Sequence, residues 1–344
     1  MSPRRYFSLV WLWSIARVAF RRLFSRRLAR SWTFNFEVMV HAQRLLARRF
    51  DRLSSASRRE AWDALSMPPT RGVSARFEDL AGLRTIWLAP QVTSGRVVLY
   101  LHGGAYQWGS SATHRAVMAE IALRSAAQVV GPEYRLAPEH PFPAALDDAL
   151  ACYRALLESG VRPEQLIVMG DSAGGGLALA LALRLKEQGL APPIGLILLS
   201  PWVDLSRLGG GSLDANANAD WLNRELLEVG VRAYAGPHDP KDPGISPLLG
   251  RLQDLPPCLV QVGSLEILRD QAVELGARGL AAGAAILVRE YPEMIHFWQY
   301  HFRVQEAGAW ALDEIAAFVR AGAVEATAGP WAAAFQPAQK LLSR

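Results

Sequence analysis

"IVMGDSAGGGLALALAL" (residues 167–183) passes from an apolar, β-branched run, through one serine set among glycines, into a stretch of alanine and leucine. A short apolar run stopped by glycine reads as a buried strand, and the alanine- and leucine-rich run as a helix. The corner between them, Gly170-Asp171-Ser172-Ala173-Gly174, satisfies G-x-S-x-G, a pattern that carries meaning when a strand precedes it and a helix follows. Glycine two residues to either side lets the backbone turn without Cβ clashes. The turn then holds the Ser172 hydroxyl out over the carboxyl edge of a sheet, with the positive end of the next helix aimed at the same place.

Outward from this corner, residues 84 to 322 alternate strands and helices. The strand-like runs are "RTIWLAP" (84–90), "RVVLYLHGG" (96–104), "AQVVGPEYR" (127–135), "LIVMG" (166–170), "IGLILLS" (194–200), "CLVQVG" (258–263) and "AILVREY" (285–291). Helical patterns fall between several of them, at about 113–125, 143–158, 173–188, 269–282 and 303–321. Nearly continuous apolar strands separated by helices predict an α/β fold whose mostly parallel central sheet is covered on both faces. The first two runs are close enough for an antiparallel edge hairpin through "QVTSG". Residues 79–202 and 249–322 are expected to form the core. Residues 1–78 and the insertion 203–248, with its turn-rich "RLGGGSLDANANAD" and helical "WLNRELLEVGVRAYAG", are expected to build a cap. Residues 323–344, with Trp331 and Phe335, read as a loosely held tail.

A second motif supports the first. In "LYLHGGAYQWGSS" (99–111) a strand ends in His102-Gly103-Gly104, the kind of loop that supplies backbone N–H donors to an oxyanion hole in acyl transfer. Gly103 and Gly104 are the expected donors, completed by the Ala173 N–H beside the serine. With "EYRLAPEHPFPAALDDAL" (133–150) and "SPWVDL" (200–205), residues 95–300 resemble the hormone-sensitive-lipase-like branch of the α/β-hydrolases. The resemblance implies the α/β-hydrolase fold with a helical cap. It also implies a serine carboxylesterase acting on acyl esters of short to medium chain through an acyl-enzyme. One departure is Ala105, where the family often has a third glycine; a methyl there bears on packing or on the alcohol side of the site. In its own terms "RLAPEHPFP" is an extended, proline-fixed loop leading to a helix at Ala144, with Arg135 expected to pair with Asp147 or Asp148.

A serine hydroxyl is a weak nucleophile until a base takes its proton, and the base needs a carboxylate to orient it. In this fold the chain order is serine, acid, histidine. That order removes His41, His102, His114 and His140, and His238 lies in the insertion ahead of the strand that should carry the acid. His296 in "YPEMIHFW" and His301 remain; the family places its histidine in a similar methionine-containing loop, which selects His296. For the acid, Glu266 follows the strand in "VQVGSLEILRDQA". The family more often has aspartate here, and some branches use glutamate. Asp270 is the alternative acid, which also reads as a first-turn charge of the next helix. Expected pocket walls are Trp108, Trp202 and Trp221, with Tyr106, Asp171, Ile295 and Phe297. No cofactor is called for, and no Cys/His spacing suggests a metal. Lactone or amide hydrolysis, a membrane-docked lipase and a non-catalytic receptor on the same fold are the alternatives; filled serine, acid and histidine positions argue against the last.

The chain has 344 residues, 51% of them hydrophobic, and a net charge of +5. Cys152 and Cys258 give no disulfide framework, which fits a reducing, cytoplasmic setting. The charge is lopsided: residues 1–60 hold fourteen arginines against Glu37, Asp51 and Glu60. In "RRYFSLVWLWSIARVAFRRLFSRRLAR" (4–30), Phe7, Val10, Trp11, Ile15, Val18 and Phe20 recur among arginines at roughly helical spacing. The apolar run from Tyr6 to Ile15 is too short to cross a bilayer, and no small-residue cleavage site follows it. Two readings stay open: peripheral docking of residues 1–30 on an anionic membrane, or a cap helix packed on the body with its arginines solvated. No motif for nucleic acid accompanies the charge.

Overall fold

In the computed structural model, which describes residues 3–24, 27–50, 52–68 and 70–322, eight strands form one sheet. The tail expected over 323–344, with Trp331 and Phe335, lies outside the described residues. The strands are β1 (Val73–Leu80), β2 (Leu83–Pro90), β3 (Val97–Leu101), β4 (Gln128–Pro132), β5 (Leu166–Asp171), β6 (Gly195–Leu199), β7 (Cys258–Gly263) and β8 (Ile286–Tyr291). Their spatial order is β1-β2-β4-β3-β5-β6-β7-β8. Strands β3 to β8 run parallel, and β1 and β2 add an antiparallel edge.

Two expectations are corrected here. The hairpin through "QVTSG" does not form: β2 pairs with β1 and with β4, while β3 sits inside the sheet between β4 and β5. All five residues of β3 are buried and demand neighbours on both sides, whereas β1 exposes most of its length and gave no apolar signal. The boundary drawn at residue 78 therefore falls inside β1, and the helical amino-terminal part ends earlier.

Side chains alternate across the central strands with the period of two that a pleated sheet imposes. Val98, Tyr100, Ile167, Met169, Ile197 and Leu199 face one layer, made by α4 (Ser111–Ser125) and α10 (Glu306–Ala321). Leu99, Leu101, Leu166, Val168, Leu196 and Leu198 face the other, made by α5 (Ala144–Glu158), α6 (Ala173–Glu187) and α9 (Arg269–Ala281). Each such burial contributes about 1.5–3 kcal/mol, so the strand ends that carry the loops are firmly held. Cys152 and Cys258 are buried free thiols, and burial pushes Cys152 up to about 12.

Above the carboxyl edge lie α1 (Pro3–Leu23), α2 (Phe34–Phe50) and α3 (Ser55–Asp63), and from the insertion α7 (Ser212–Ala215) and α8 (Arg224–Ala235). The two stretches meet. Arg44 of α2 donates to the carbonyls of Ala219 and, at 3.0 Å, Asp220. Trp62 of α3 stacks on Trp108 at 4.7 Å and lies 6.1 Å from Trp221. The segment after α1 is stitched to the loop after β8, where the Glu293 carboxylate accepts from the N–H groups of Arg30 and Ser31 at 3.1 and 2.7 Å.

Candidate active site

Ser172 sits between β5 and α6 with φ 53° and ψ −120°. This left-handed backbone costs about 1–3 kcal/mol and is pinned by the Ser172 N–H donating to Leu199 O at 2.8 Å and by Trp202 N–H donating to Ser172 O at 2.9 Å. The flanking glycines are obligatory here: a Cβ at Gly174 would run into the Leu101 carbonyl, and one at Gly170 into the Gly174 carbonyl.

Two side chains from distant loops meet at this corner. His296 Nε2 lies 2.9 Å from Ser172 Oγ, and its Nδ1 lies 3.3 Å from Glu266 Oε2. The other oxygen of Glu266 accepts from Ser200 Oγ at 2.7 Å and from the Gly263 N–H at 2.6 Å. Ser200 Oγ in turn accepts from the Phe297 N–H at 3.0 Å. Ser200 thus fixes the carboxylate and the histidine loop together, a role that the "SPWVDL" motif contained but did not announce. Asp270 goes elsewhere: it accepts from Ser212 N–H at 2.8 Å and pairs with Arg269 at 3.0 Å. His301 is 3.1 Å from Gln43 Oε1, and burial pulls it down to about 4. Of the two histidines and two carboxylates left open by the sequence, His296 and Glu266 are the pair brought to the serine.

The opposite side of Ser172 requires a correction. The Gly103 N–H donates to Asp171 Oδ1 at 3.0 Å and is therefore already committed. The same carboxylate oxygen accepts from Tyr100 OH at 2.8 Å, and His114 Nε2 lies 3.4 Å from Oδ2. Burial alone would raise the Asp171 pKa, but the His114 charge and these hydrogen bonds outweigh it and hold the group below the ordinary carboxylate range. Asp171 borders the pocket with its oxygens spent on anchoring the loop to the nucleophile corner. The N–H groups of Gly104, Ala105 and Ala173 have no acceptor among the described residues. Gly104 has φ 124°, and a Cβ there would strike the Trp108 carbonyl; Ala105 tolerates φ 51°. The proline-fixed loop braces this arrangement from behind, Tyr134 OH donating to His102 O at 2.6 Å. Arg135 pairs with Asp148 at 2.7 Å, while Asp147 faces Arg184 at 3.9 Å.

The chain is similar to known proteins in sequence and in fold. The family described as alpha/beta hydrolase fold matches residues 98–300. An acetyl-hydrolase of Streptomyces hygroscopicus is 38% identical over 261 residues, 76% of this chain and 86% of its own. The chain belongs to the α/β-hydrolase family. An esterase of Acinetobacter venetianus is 40% identical over 253 residues, 73% of this hydrolase and 83% of its own length. A crystal structure of an esterase from the bacterial hormone-sensitive lipase family superposes with a TM-score of 0.78 at 35% identity, covering 82% of this chain and 97% of its own. The hydrolase falls in this hormone-sensitive-lipase-like branch, and its eight-stranded, mostly parallel sheet is the fold expected from the motifs.

One buried group of the hydrolase escaped sequence reading. Asp220, in the cap, accepts from the N–H groups of Trp221 at 2.8 Å, His296 at 3.1 Å and Ile267 at 3.0 Å. Trp221 Nε1 donates to His296 O at 2.8 Å. Through these bonds the cap holds the histidine loop and the loop that bears Glu266. Asp220 lies at the end of a segment whose glycines, asparagines and alanines read as flexible, so no pattern marked it. Burial raises its own pKa. Burial also lowers that of His296, but the Glu266 hydrogen bond and charge, with the charges of Asp220 and Asp171, carry it above the ordinary 6.5.

Over Ser172 the hydrolase encloses a cavity of about 150 Å³. Of the expected walls, Trp108, Asp171, Trp202, Trp221 and Phe297 line it. Tyr106 and Ile295 do not and are corrected to core positions: Tyr106 stacks on Tyr234 at 3.6 Å behind the wall, and Ile295 is fully buried. Much of the remaining wall comes from the amino-terminal helices, through Phe7, Trp11, Met39, Leu46 and Trp62, with Leu222, Leu226 and Leu227 added by the insertion. Only the aromatic richness of the amino-terminal segment hinted at its share.

Proposed function

We propose that Ser172, His296 and Glu266 are the nucleophile, base and acid of this carboxylic-ester hydrolase. The observation that carries the reading is the 2.9 Å approach of His296 Nε2 to Ser172 Oγ. His296, held by Glu266, takes the Ser172 proton as Oγ attacks the ester carbonyl. The oxyanion is received by the N–H groups of Gly104 and Ala173, with Ala105 beside them, at the positive end of α6. His296 then protonates the departing alcohol, and water attacks the acyl-enzyme by the same route. A cavity of about 150 Å³ is the size of one that holds benzene, which supports acyl groups of up to about six carbons. On p-nitrophenyl esters from acetyl to palmitoyl, kcat/KM is expected to rise to butyryl or hexanoyl and then fall. A continuous rise to palmitoyl would replace this reading with a long-chain lipase.

The base must be neutral to act, so activity is lost as pH falls through the His296 pKa. Because that pKa is raised, the acid limb of kcat/KM is expected to have its midpoint above 6.5. Asp220→Asn removes one of the charges that raise it, so the midpoint should move to lower pH while the alkaline plateau changes less. Superimposable acid limbs for the two proteins would show that Asp220 acts on the loop alone.

The proposal includes peripheral contact of residues 1–30 with an anionic membrane. Leu12, Trp13 and Phe20 of α1 stand exposed among arginines. Among the described residues no helix is long and apolar enough to cross a bilayer.

A further inference from the structure

Helix α1 is apolar on two opposite sides, and only one of them is covered. Val10, Ser14 and Val18 are buried, and beside them Phe7 and Trp11 line the cavity over Ser172. On the other side Leu9, Leu12, Trp13, Phe20, Leu23 and Phe24 recur at helical steps, and each is more than half exposed. Of the twelve large hydrophobic side chains exposed among the described residues, seven lie between Leu9 and Phe24. Single exposed apolar residues are ordinary, but a contiguous row on one helix marks a contact surface.

The charge carried by this segment is mainly positive. Arg17, Arg27 and Arg30 are exposed on the same segment. The single carboxylate within residues 1–50, Glu37, is fully buried and accepts from Arg22 at 2.8 Å. An apolar row on an arginine-rich segment complements acyl chains beneath anionic phosphates, the arrangement of a helix lying in a membrane interface. A second copy of the chain would bring the same cations face to face across a two-fold axis.

We propose that the outer side of α1 docks on an anionic phospholipid bilayer, and that its inner side then opens the acyl cavity toward that surface. The substrate class this selects is a short-acyl ester whose alcohol arm is a hydrocarbon held in the bilayer. The short arm fits the cavity, and the long arm never leaves the membrane. The inference rests on the esterase reading of Ser172.

The test uses the full chain and a Leu12→Glu/Phe20→Glu double variant, neither position lining the cavity. Vesicles of phosphatidylcholine, alone or mixed with phosphatidylglycerol, are used with hexadecyl butyrate dissolved in them. The wild type should co-sediment about tenfold or more tightly with the anionic vesicles, since each arginine near the surface adds to the attraction. The double variant should lose about tenfold in both binding and hexadecyl butyrate hydrolysis, while hydrolysing soluble p-nitrophenyl butyrate at the wild-type rate. Equal sedimentation of the two proteins, or equal hydrolysis of the vesicle-borne ester, overturns the inference. So does a concentration-dependent dimer that the double variant disperses, with no vesicle binding, because the occupant is then a second copy. Failure of both proteins on p-nitrophenyl butyrate would instead defeat the esterase reading beneath it.

Discussion

Ser172→Ala is expected to lower kcat/KM for p-nitrophenyl butyrate by about 10⁴-fold or more. The change removes the oxygen that His296 Nε2 approaches at 2.9 Å, in the cavity bordered by Gly104, whose N–H, like that of Ala173, has no acceptor among the described residues. Alanine bears the φ of 53° there no worse than serine, since both carry a Cβ. The corner should therefore keep its shape, and thermal unfolding should shift by no more than a few degrees. Residual activity would come from water attacking the ester carbonyl while the oxyanion donors still stabilise the tetrahedral intermediate. A decrease smaller than about tenfold, in a protein that melts like the wild type, would mean that another group performs the attack.

Glu266→Gln is expected to cost nearly as much, about 10⁴-fold in kcat. A glutamine amide turned toward His296 Nδ1 presents an N–H donor where an acceptor stood. The imidazole must then carry its proton on Nε2, the nitrogen that faces Ser172 Oγ at 2.9 Å, and it can no longer act as a base. The contrasting variant, Asp270→Asn, disturbs only the Ser212 N–H contact and the Arg269 pair. Its kcat should stay within about threefold of wild type, in the range of surface substitutions worth under about 0.5 kcal/mol. Measuring both at saturating p-nitrophenyl butyrate separates the carboxylates, and a large loss for Asp270→Asn with little for Glu266→Gln would exchange their roles.

Features that are local in the chain are legible from the residues alone. The strand-to-helix corner at Ser172, the glycines at 103 and 104 and the histidine loop after β8 each announce themselves within a few residues. Their fixed chain order then joins them. The parts that were missed depend on contacts between distant segments. Nothing local reveals that the Gly103 N–H is taken by Asp171, because the partner is 68 positions away. Asp220 reads as part of a flexible loop until three backbone N–H groups from other segments converge on it. Strand β1 went unseen because its exposed, charged side chains lack the alternation that marks a half-buried strand. Of the two readings of the amino-terminal arm, the packed cap helix describes the inner side of α1; its outer side is apolar and exposed, and membrane docking there is the proposal that the vesicle experiment tests.

The most direct test of the central claim is covalent. A p-nitrophenyl alkylphosphonate resembles the tetrahedral intermediate and should transfer its phosphonyl group to the activated hydroxyl alone, releasing one equivalent of nitrophenol. Peptide mass mapping is expected to find a single adduct, on Ser172, absent from a His296→Asn variant. Stoichiometric inactivation with the adduct on any other residue, or with Ser172 recovered unmodified, would contradict the assignment.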